Sequence, residues 1–333
     1  MWGWQWTLPG LVSLLLPLAL NAGQEDPVVW LERMAQSLHS HSYEGTFIFQ
    51  RGDRIDTVKV VHSAENGGYR ERLRTLTGSA REVIRSVDRV SALKGARVEA
   101  DGGPGQQTAP HRPPAIAGMM LRASERYDLK SPGFDRIAGF PCYVLHAAAR
   151  DDYRYSHKYC LHRDTGLPLS SELIDADGQL LERLVFTELA FLDVVFEEAL
   201  TPRGCEARHI EVRAAEVPGD TEASHGQWYF EGLPPGFSPV IATERVFGPD
   251  SPPSLHFVLS DGLATVSVYV DANKDKADMF EGATRSGATH AFARPLAGNQ
   301  LTVVGEVPRK TIERIASAAR FRPGDSGETA PAR

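Results

Sequence analysis

Residues 43–76 read YEGTFIFQRGDRIDTVKVVHSAENGGYRERLRTL, three strand-like runs separated by two turn signals. Phe47 and Phe49 share one face of the first run, Val58 and Val60 one face of the second, and Tyr69 and Leu73 oppose Arg70, Arg72 and Arg74 on the third. Side chains alternate across a strand, so each run has one apolar and one polar face. Gly52-Asp53 and Asn66-Gly67-Gly68 supply residues that tolerate the positive φ of tight hairpins. The stretch therefore predicts an antiparallel meander whose apolar face must close on itself, pack on a helix, or hold a ligand or partner.

Ahead of the meander, residues 8–20 (LPGLVSLLLPLAL) form an uncharged apolar run with the length of a signal-peptide core, which predicts a signal peptide over residues 1–22 ending at Ala22. No Lys or Arg precedes the run, so an uncleaved anchor is the competing reading; no Cys follows it to carry a lipid. Residues 27–40 (PVVWLERMAQSLHS) place Val28, Leu31, Ala35 and Leu38 at helical spacing behind Asp26 and Pro27, and the meander is the nearest surface for that stripe. His39 and His41 bracket the helix end with no third ligand nearby, which favours a solvated terminus over a metal site.

Beyond the meander, residues 81–93 continue as strand, and residues 95–114 (GARVEADGGPGQQTAPHRPP) read as a long loop or insertion. Residues 114–127, with Met119, Met120 and Leu121, suggest a short helix. Residues 140–169 make a second hairpin. A turn centred near Asp151 sets Cys142 opposite Cys160, which an exported protein can oxidise to a disulfide; two buried free thiols are the alternative, and Cys205 is left single. His146, His157 and His162 read as strand-surface residues. Residues 173–196 repeat the hairpin pattern with a turn at Asp177-Gly178. A first domain then spans 25–196, a linker 197–224, a small α+β domain 225–320 that ends in an amphipathic helix (308–319, with Ile312, Ile315 and Ala319 on one side), and a tail 321–333.

Catalytic and metal signatures do not assemble. Gly324-Asp325-Ser326-Gly327 sits in a polar tail, and the calcium-like start at Asp271 has Lys276 where the loop needs Gly. There is no phosphate loop, CxxC or HExxH spacing, so neither enzyme activity nor a cofactor is expected. The net charge of -7 with interspersed signs argues against nucleic acid. The arginines at 70, 72 and 74 read most simply as the wet face of a half-buried strand, and more sharply as a docking surface for an acidic peptide or lipid phosphate.

WLERMAQSLHSHSYEGTFIFQRGDRIDTVKVVHS, GYRERLRTL, HRDTGLPL with GQLLERLVFTEL, LPPGF, SDGLATVSVYV and LTVVGEVP, in this order from about Trp30 to Ala319, resemble the MucB/RseB family. The 95–114 insertion lies outside that pattern. The resemblance implies an α+β protein with an N-terminal curved antiparallel half-barrel of the lipoprotein-carrier type plus a smaller C-terminal domain. It implies a periplasmic regulator that binds the periplasmic domain of a MucA/RseA-like anti-sigma factor, shields it from site-1 proteolysis, and is released by lipid or lipopolysaccharide. On that premise Phe47, Phe49, Val58, Val60, Tyr69 and Leu73 would line an acyl-chain site, or be ordinary core under the two helices. Tyr229, Phe230, Phe237 and Tyr269, with Arg70, Arg72 and Arg74, would meet the peptide. A periplasmic lipoprotein or lipid carrier is the alternative function, and a homo-oligomer is left open.

Overall fold

The computed structural model describes residues 26–65, 68–86, 89–94, 120–201, 208–214, 227–246, 254–272 and 279–323. The expected signal peptide, the Asn66-Gly67 turn, the 95–114 insertion, Cys205, the calcium-like loop beyond Ala272 and the Gly324 to Gly327 motif lie outside them.

The meander is β1 (Ser42–Arg51), β2 (Arg54–Glu65) and β3 (Gly68–Thr75). Phe47 faces Val58 and Val60 faces Leu73 in register, so the alternation in sequence becomes one continuous apolar face. Gly52 has φ +57°, the left-handed conformation that lets two residues join β1 to β2. β4 (Arg81–Ser86) and β5 (Arg89–Lys94) extend the sheet on one side. On the other side stand β6 (Tyr127–Ile137), β7 (Phe140–Ala149), β8 (Ser156–His162), β9 (Pro168–Ile174) and β10 (Leu180–Leu192), with β10 pairing back onto β1.

The smaller domain holds β13 (Ser238–Val246), β14 (Ser254–Ser260), β15 (Thr265–Ala272), β16 (Gly282–Ser286), β17 (Thr289–Leu296) and β18 (Asn299–Gly305). Helix α4 (Arg309–Ala318) buries Ile312, Ile315 and Ala316 against Phe257, Val266, Val268 and Val303. A two-stranded ribbon of β12 (Trp228–Phe230) and β19 (Ala319–Phe321) ties the end of that helix down. The region read as a linker is more than a tether. Its first residues form α3 (Glu197–Leu200), and β11 (Arg208–Ala214) pairs with β5 through Arg208 to Glu211 and with β13 through Glu211 to Ala214. Among the described residues the result is one open, wholly antiparallel sheet of 17 strands, ordered β6-β7-β8-β9-β10-β1-β2-β3-β4-β5-β11-β13-β14-β15-β18-β17-β16.

Helix α1 (Pro27–Ser40) starts where Asp26 accepts a hydrogen bond from the Val28 N–H with Pro27 in the first turn. Its buried residues include Trp30, Leu31, Ala35 and Ser37, so Leu31 and Ala35 of the stripe read in the sequence are buried, Val28 is half-buried, and Trp30 and Ser37 join the buried side. Trp30 stacks on Tyr143 at 4.4 Å and, with Ala123 of α2 (Met120–Arg126), joins a cluster on Tyr143, Leu145, Tyr159 and Leu161. These residues alternate along β7 and β8 with Cys142, Val144 and Cys160, which belong to the Phe47 cluster. The two helices therefore cover the face of β7 and β8 opposite to that cluster.

Cys142 and Cys160 form a disulfide, with Cα atoms 5.3 Å apart. The register differs from a turn at Asp151: Cys142 stands across from His162 and Cys160 across from Val144, so the cysteines are diagonal neighbours on one face. Of the three histidines read as strand-surface residues, His146 and His157 are half-buried and His162 is buried. His162 Nδ1 accepts from the Asp164 and Thr165 N–H groups, and His157 pairs through Nδ1 with the Tyr159 hydroxyl at 3.0 Å, its pKa lowered by burial to about 4.

Candidate functional site

Phe47, Val58, Val60 and Leu73 converge with Tyr43, Leu184 and Phe186, while Phe49 packs half-buried at the edge of the same cluster. Tyr69 is half-buried and stacks on His62, which stacks in turn on Tyr43. The alternation of β3 also brings Glu71 to this apolar face, buried, with Oε2 3.5 Å from His62 Nδ1. The cavity between these side chains measures about 20 Å³, room for a water but not for an acyl chain. In this state the face is packed core filled by side chains of the sheet itself.

The opposite face of β2 and β3 corrects the reading of a wet arginine stripe. Arg70 makes a two-pronged pair with Glu197, at 2.7 and 2.6 Å. Arg72 is buried, pairs with Glu82 and donates to the Ala199 carbonyl at 3.0 Å. Arg74 is exposed. Helix α3 therefore lies over these arginines, held by the bidentate match of the Arg70 guanidinium to the Glu197 carboxylate and by the bond from Arg72 to the Ala199 carbonyl. The Arg70 hydrogen bonds lower the pKa of exposed Glu197. Beside α3 a groove of about 190 Å³ is lined by Glu44, Lys59, Val61, Arg72, Arg74 and Ala199.

The aromatic residues of the second domain divide in the same way. Phe237 is buried, with the Arg154 guanidinium 5.3 Å over its ring, so it belongs to the joint between domains and not to an open anchor surface. Phe230 packs edge-on against Phe257 at 5.2 Å. Tyr229 is half-buried beneath Arg322, and Tyr269 stacks on His256 at 4.4 Å. The structure thus does not bring these four together as one patch.

What residue patterns did not announce is the joint itself. The tip of the β7–β8 hairpin enters the second domain, where Arg154 and Asp261 pair with both side chains fully buried. Asp261 also accepts from the Tyr127 hydroxyl at 3.0 Å and from the Leu263 and Ala264 N–H groups at 3.0 and 2.8 Å. Arg154 donates further to Asp151 at 2.9 Å and to the Pro235 carbonyl at 2.6 Å. Burial pushes the Asp261 carboxyl up, and Arg154, the two N–H groups and Tyr127 hold against it. A second contact lies at the other end of β1. Arg51 Nε is 2.7 Å from Glu182, and its Nη2 is 3.8 Å from Glu306, which follows β18. Ala288, in the β16–β17 turn, donates its N–H to Glu182 at 3.3 Å and packs with Tyr155 and Leu173. Among the described residues no group of three or more His, Cys, Asp or Glu could hold a metal, and no helix is long and apolar enough to cross a membrane.

Residues 26–208 match the model of the MucB/RseB N-terminal domain and residues 222–320 that of the MucB/RseB C-terminal domain. The chain is 34% identical over 318 residues to the sigma factor AlgU regulatory protein MucB of Pseudomonas aeruginosa, covering 93% of this chain and 95% of that protein. It is 29% identical over 321 residues to the sigma-E factor regulatory protein RseB of Salmonella typhimurium, covering 95% and 98%. The fold superposes on a crystal structure of MucB with a TM-score of 0.68 at 33% identity, over 90% of this chain and 99% of that one. It superposes on MucB in the Pseudomonas aeruginosa MucA/MucB complex with a TM-score of 0.64, again at 33% identity and over 90% and 99%.

Proposed function

Because the chain belongs to the MucB/RseB family, we propose that it is a periplasmic regulator that binds the periplasmic segment of a transmembrane anti-sigma factor, shields it from site-1 proteolysis and so represses the envelope-stress response. The observation that carries this reading is similarity through both domains and the connection between them to a protein whose structure is known in complex with MucA. Binding without catalysis fits the site: the buried polar groups satisfy one another across the joint instead of converging on a pocket. The peptide-binding surface is assigned to the groove beside α3 with Lys59, Arg72 and Arg74, and to the exposed edge around Tyr229. Phe237 is withdrawn from it, being buried at the joint.

The release step is assigned to lipid or lipopolysaccharide acyl chains parting the Phe47 cluster. With a cavity of about 20 Å³ the chain must displace side chains to enter, so lipid acts only if it prefers an opened state from which the peptide is lost. Calorimetry of the mature protein with the periplasmic segment of its host's anti-sigma factor, with and without lipopolysaccharide fragments, tests both parts. Tight binding weakened by lipid is the expected result. Binding indifferent to lipid removes the release step, and no binding removes the regulator.

A further inference from the structure

We propose that Arg51, Glu182 and Glu306 form a proton-held latch between the two domains: one guanidinium serves two carboxyl groups, so the joint is tight while one of the pair carries a proton and loosens when both ionise. The inference rests on the domain joint and requires nothing of the partner. Arg51 and Glu182 come from paired positions of β1 and β10 in the first domain, and Glu306 and Ala288 from the second. Among the described residues Arg51 is the cation within ion-pair distance of both carboxylates. Glu182 has the better share of it, with Nε at 2.7 Å and Nη2 at 3.5 Å, and Ala288 N–H as a further donor; Glu306 has Nη2 at 3.8 Å.

Two ionised carboxylates held near one cation leave a net negative charge in a joint with little water to screen it, since the Glu182 side chain is 7% exposed and that of Glu306 23%. The less favoured acid holds its proton. Burial, then the charge of Glu182, push Glu306 up to about 8, with Arg51 opposing. Glu182 is raised as well, by burial, against the pull of Arg51 and Ala288.

Among the described residues the surrounding groups do not supply a second counter-charge within ion-pair distance of both carboxylates. Tyr155 and Tyr159, which feel Glu182 and Glu306 respectively, are both raised by burial and stay neutral. Arg285 and Asp175 act on Tyr155 with opposite signs. His290 of β17 is lowered by burial and its Nδ1 lies 2.9 Å from the Val307 carbonyl inside its own domain. On the first-domain side, Arg183 next to Glu182 pairs with Glu172.

The sign follows from which state binds the proton. Once the domains part, Glu306 meets water and returns toward an ordinary carboxyl pKa of about 4.3. The docked form holds the proton up to about 8. Docking is thus strongest at and below the ordinary value, weakens as pH rises between the two, and becomes independent of this group above the upper one.

Hydrogen exchange on the full chain reads this directly at residues 287–289, since the Ala288 N–H is held by the cluster. After correction for intrinsic exchange, protection there should fall roughly tenfold or more between pH 6 and pH 8, while amides of α4 keep theirs. Glu306→Gln, which keeps the shape of the protonated acid, should hold the high protection at both values. Wild-type protection that does not change with pH, or a Glu306→Gln chain that shows the same fall as wild type, overturns the latch. Should the variant not fold, the wild-type profile decides: a fall at 287–289 shared equally by α4 is global loosening and also overturns it.

Discussion

Asp261 collects four donors at one side of the domain joint, whereas at the other side Glu182 and Glu306 divide the guanidinium of Arg51. Both contacts bridge the same two domains and both are shielded from water. Each guanidinium meets two carboxylates, and the contacts differ in how fully hydrogen bonds hold them. Arg154 bonds directly to both Asp261 and Asp151 and to the Pro235 carbonyl, and Asp261 is held further by Tyr127 and two backbone N–H groups. Such a pair sets the geometry of the joint, since its members have no better arrangement when parted. Arg51 bonds closely to Glu182 but reaches Glu306 only at 3.8 Å, so the strength of this cluster depends on a proton. One contact fixes where the domains meet, and the other can tune how firmly.

The largest break in this comparison is expected from Asp261→Ala. It leaves the buried Arg154 guanidinium with Asp151 and the Pro235 carbonyl and takes the acceptor from Tyr127 and two backbone N–H groups, and should cost about 3–5 kcal/mol, read as a shift of the chemical-denaturation midpoint. A loss under about 1 kcal/mol would mean that water enters the joint and that the two contacts are alike after all. Gly287→Ala comes next. Gly287 has φ +62°, and an added Cβ would stand 2.3 Å from Cγ of Arg51. Strain of about 1–2 kcal/mol from the left-handed backbone, with Arg51 pushed aside, should destabilise docking. It should also flatten the pH profile at residues 287–289. A profile as steep as wild type would show that Arg51 does not set it.

Glu306→Gln should stabilise the chain by about 1.4 kcal/mol or more at pH 8.5 and leave it nearly unchanged at about pH 4, because a raised carboxyl pKa destabilises the folded form only above its ordinary value. A gain at the lower pH as large as at pH 8.5 would assign the effect to something other than ionisation.

The same contrast explains what was legible in the sequence. Alternation and turn residues are local, so the meander, the 140–169 and 173–196 hairpins, α1 and α4 could be read directly. Weakly alternating strands escaped: β13 carries Pro239, and β16 is largely exposed. β11 fell inside the stretch read as a linker because its partners, β5 and β13, lie far away along the chain. The two-residue offset at Cys142 and Cys160 turned on the true length of the 150–155 turn. Site residues fared worse, since alternation marks a buried face without separating core from cavity, and charged residues do not name distant partners. Arg154 and Asp261 are 107 residues apart and look like ordinary turn residues. Arg70 and Glu197 are 127 apart, and neither alone tells that α3 will settle over the arginines.

The smallest effect is expected two residues from Arg154, the partner of Asp261. Asp152 sits on the same hairpin tip as Arg154 and also reaches the second domain, with Oδ2 2.6 Å from Lys310 Nζ. Yet its side chain is 81% exposed and that of Lys310 45%, so water and salt already solvate both ions whether or not they meet. Lys310 has in addition the face of Tyr153, 5.0 Å away, and Thr311 next to it anchors the helix by donating to the Tyr153 carbonyl at 2.6 Å. Asp152→Asn should therefore cost less than about 1 kcal/mol, and that small cost should vanish in 0.5 M salt. Asp261→Ala should keep its full penalty in the same salt, because ions do not screen a buried pair. If Asp152→Asn proved comparable to Asp261→Ala, or both responded equally to salt, docking would come from the general attraction of the two surfaces, and the distinction between a fixed and a tunable contact would fall with it.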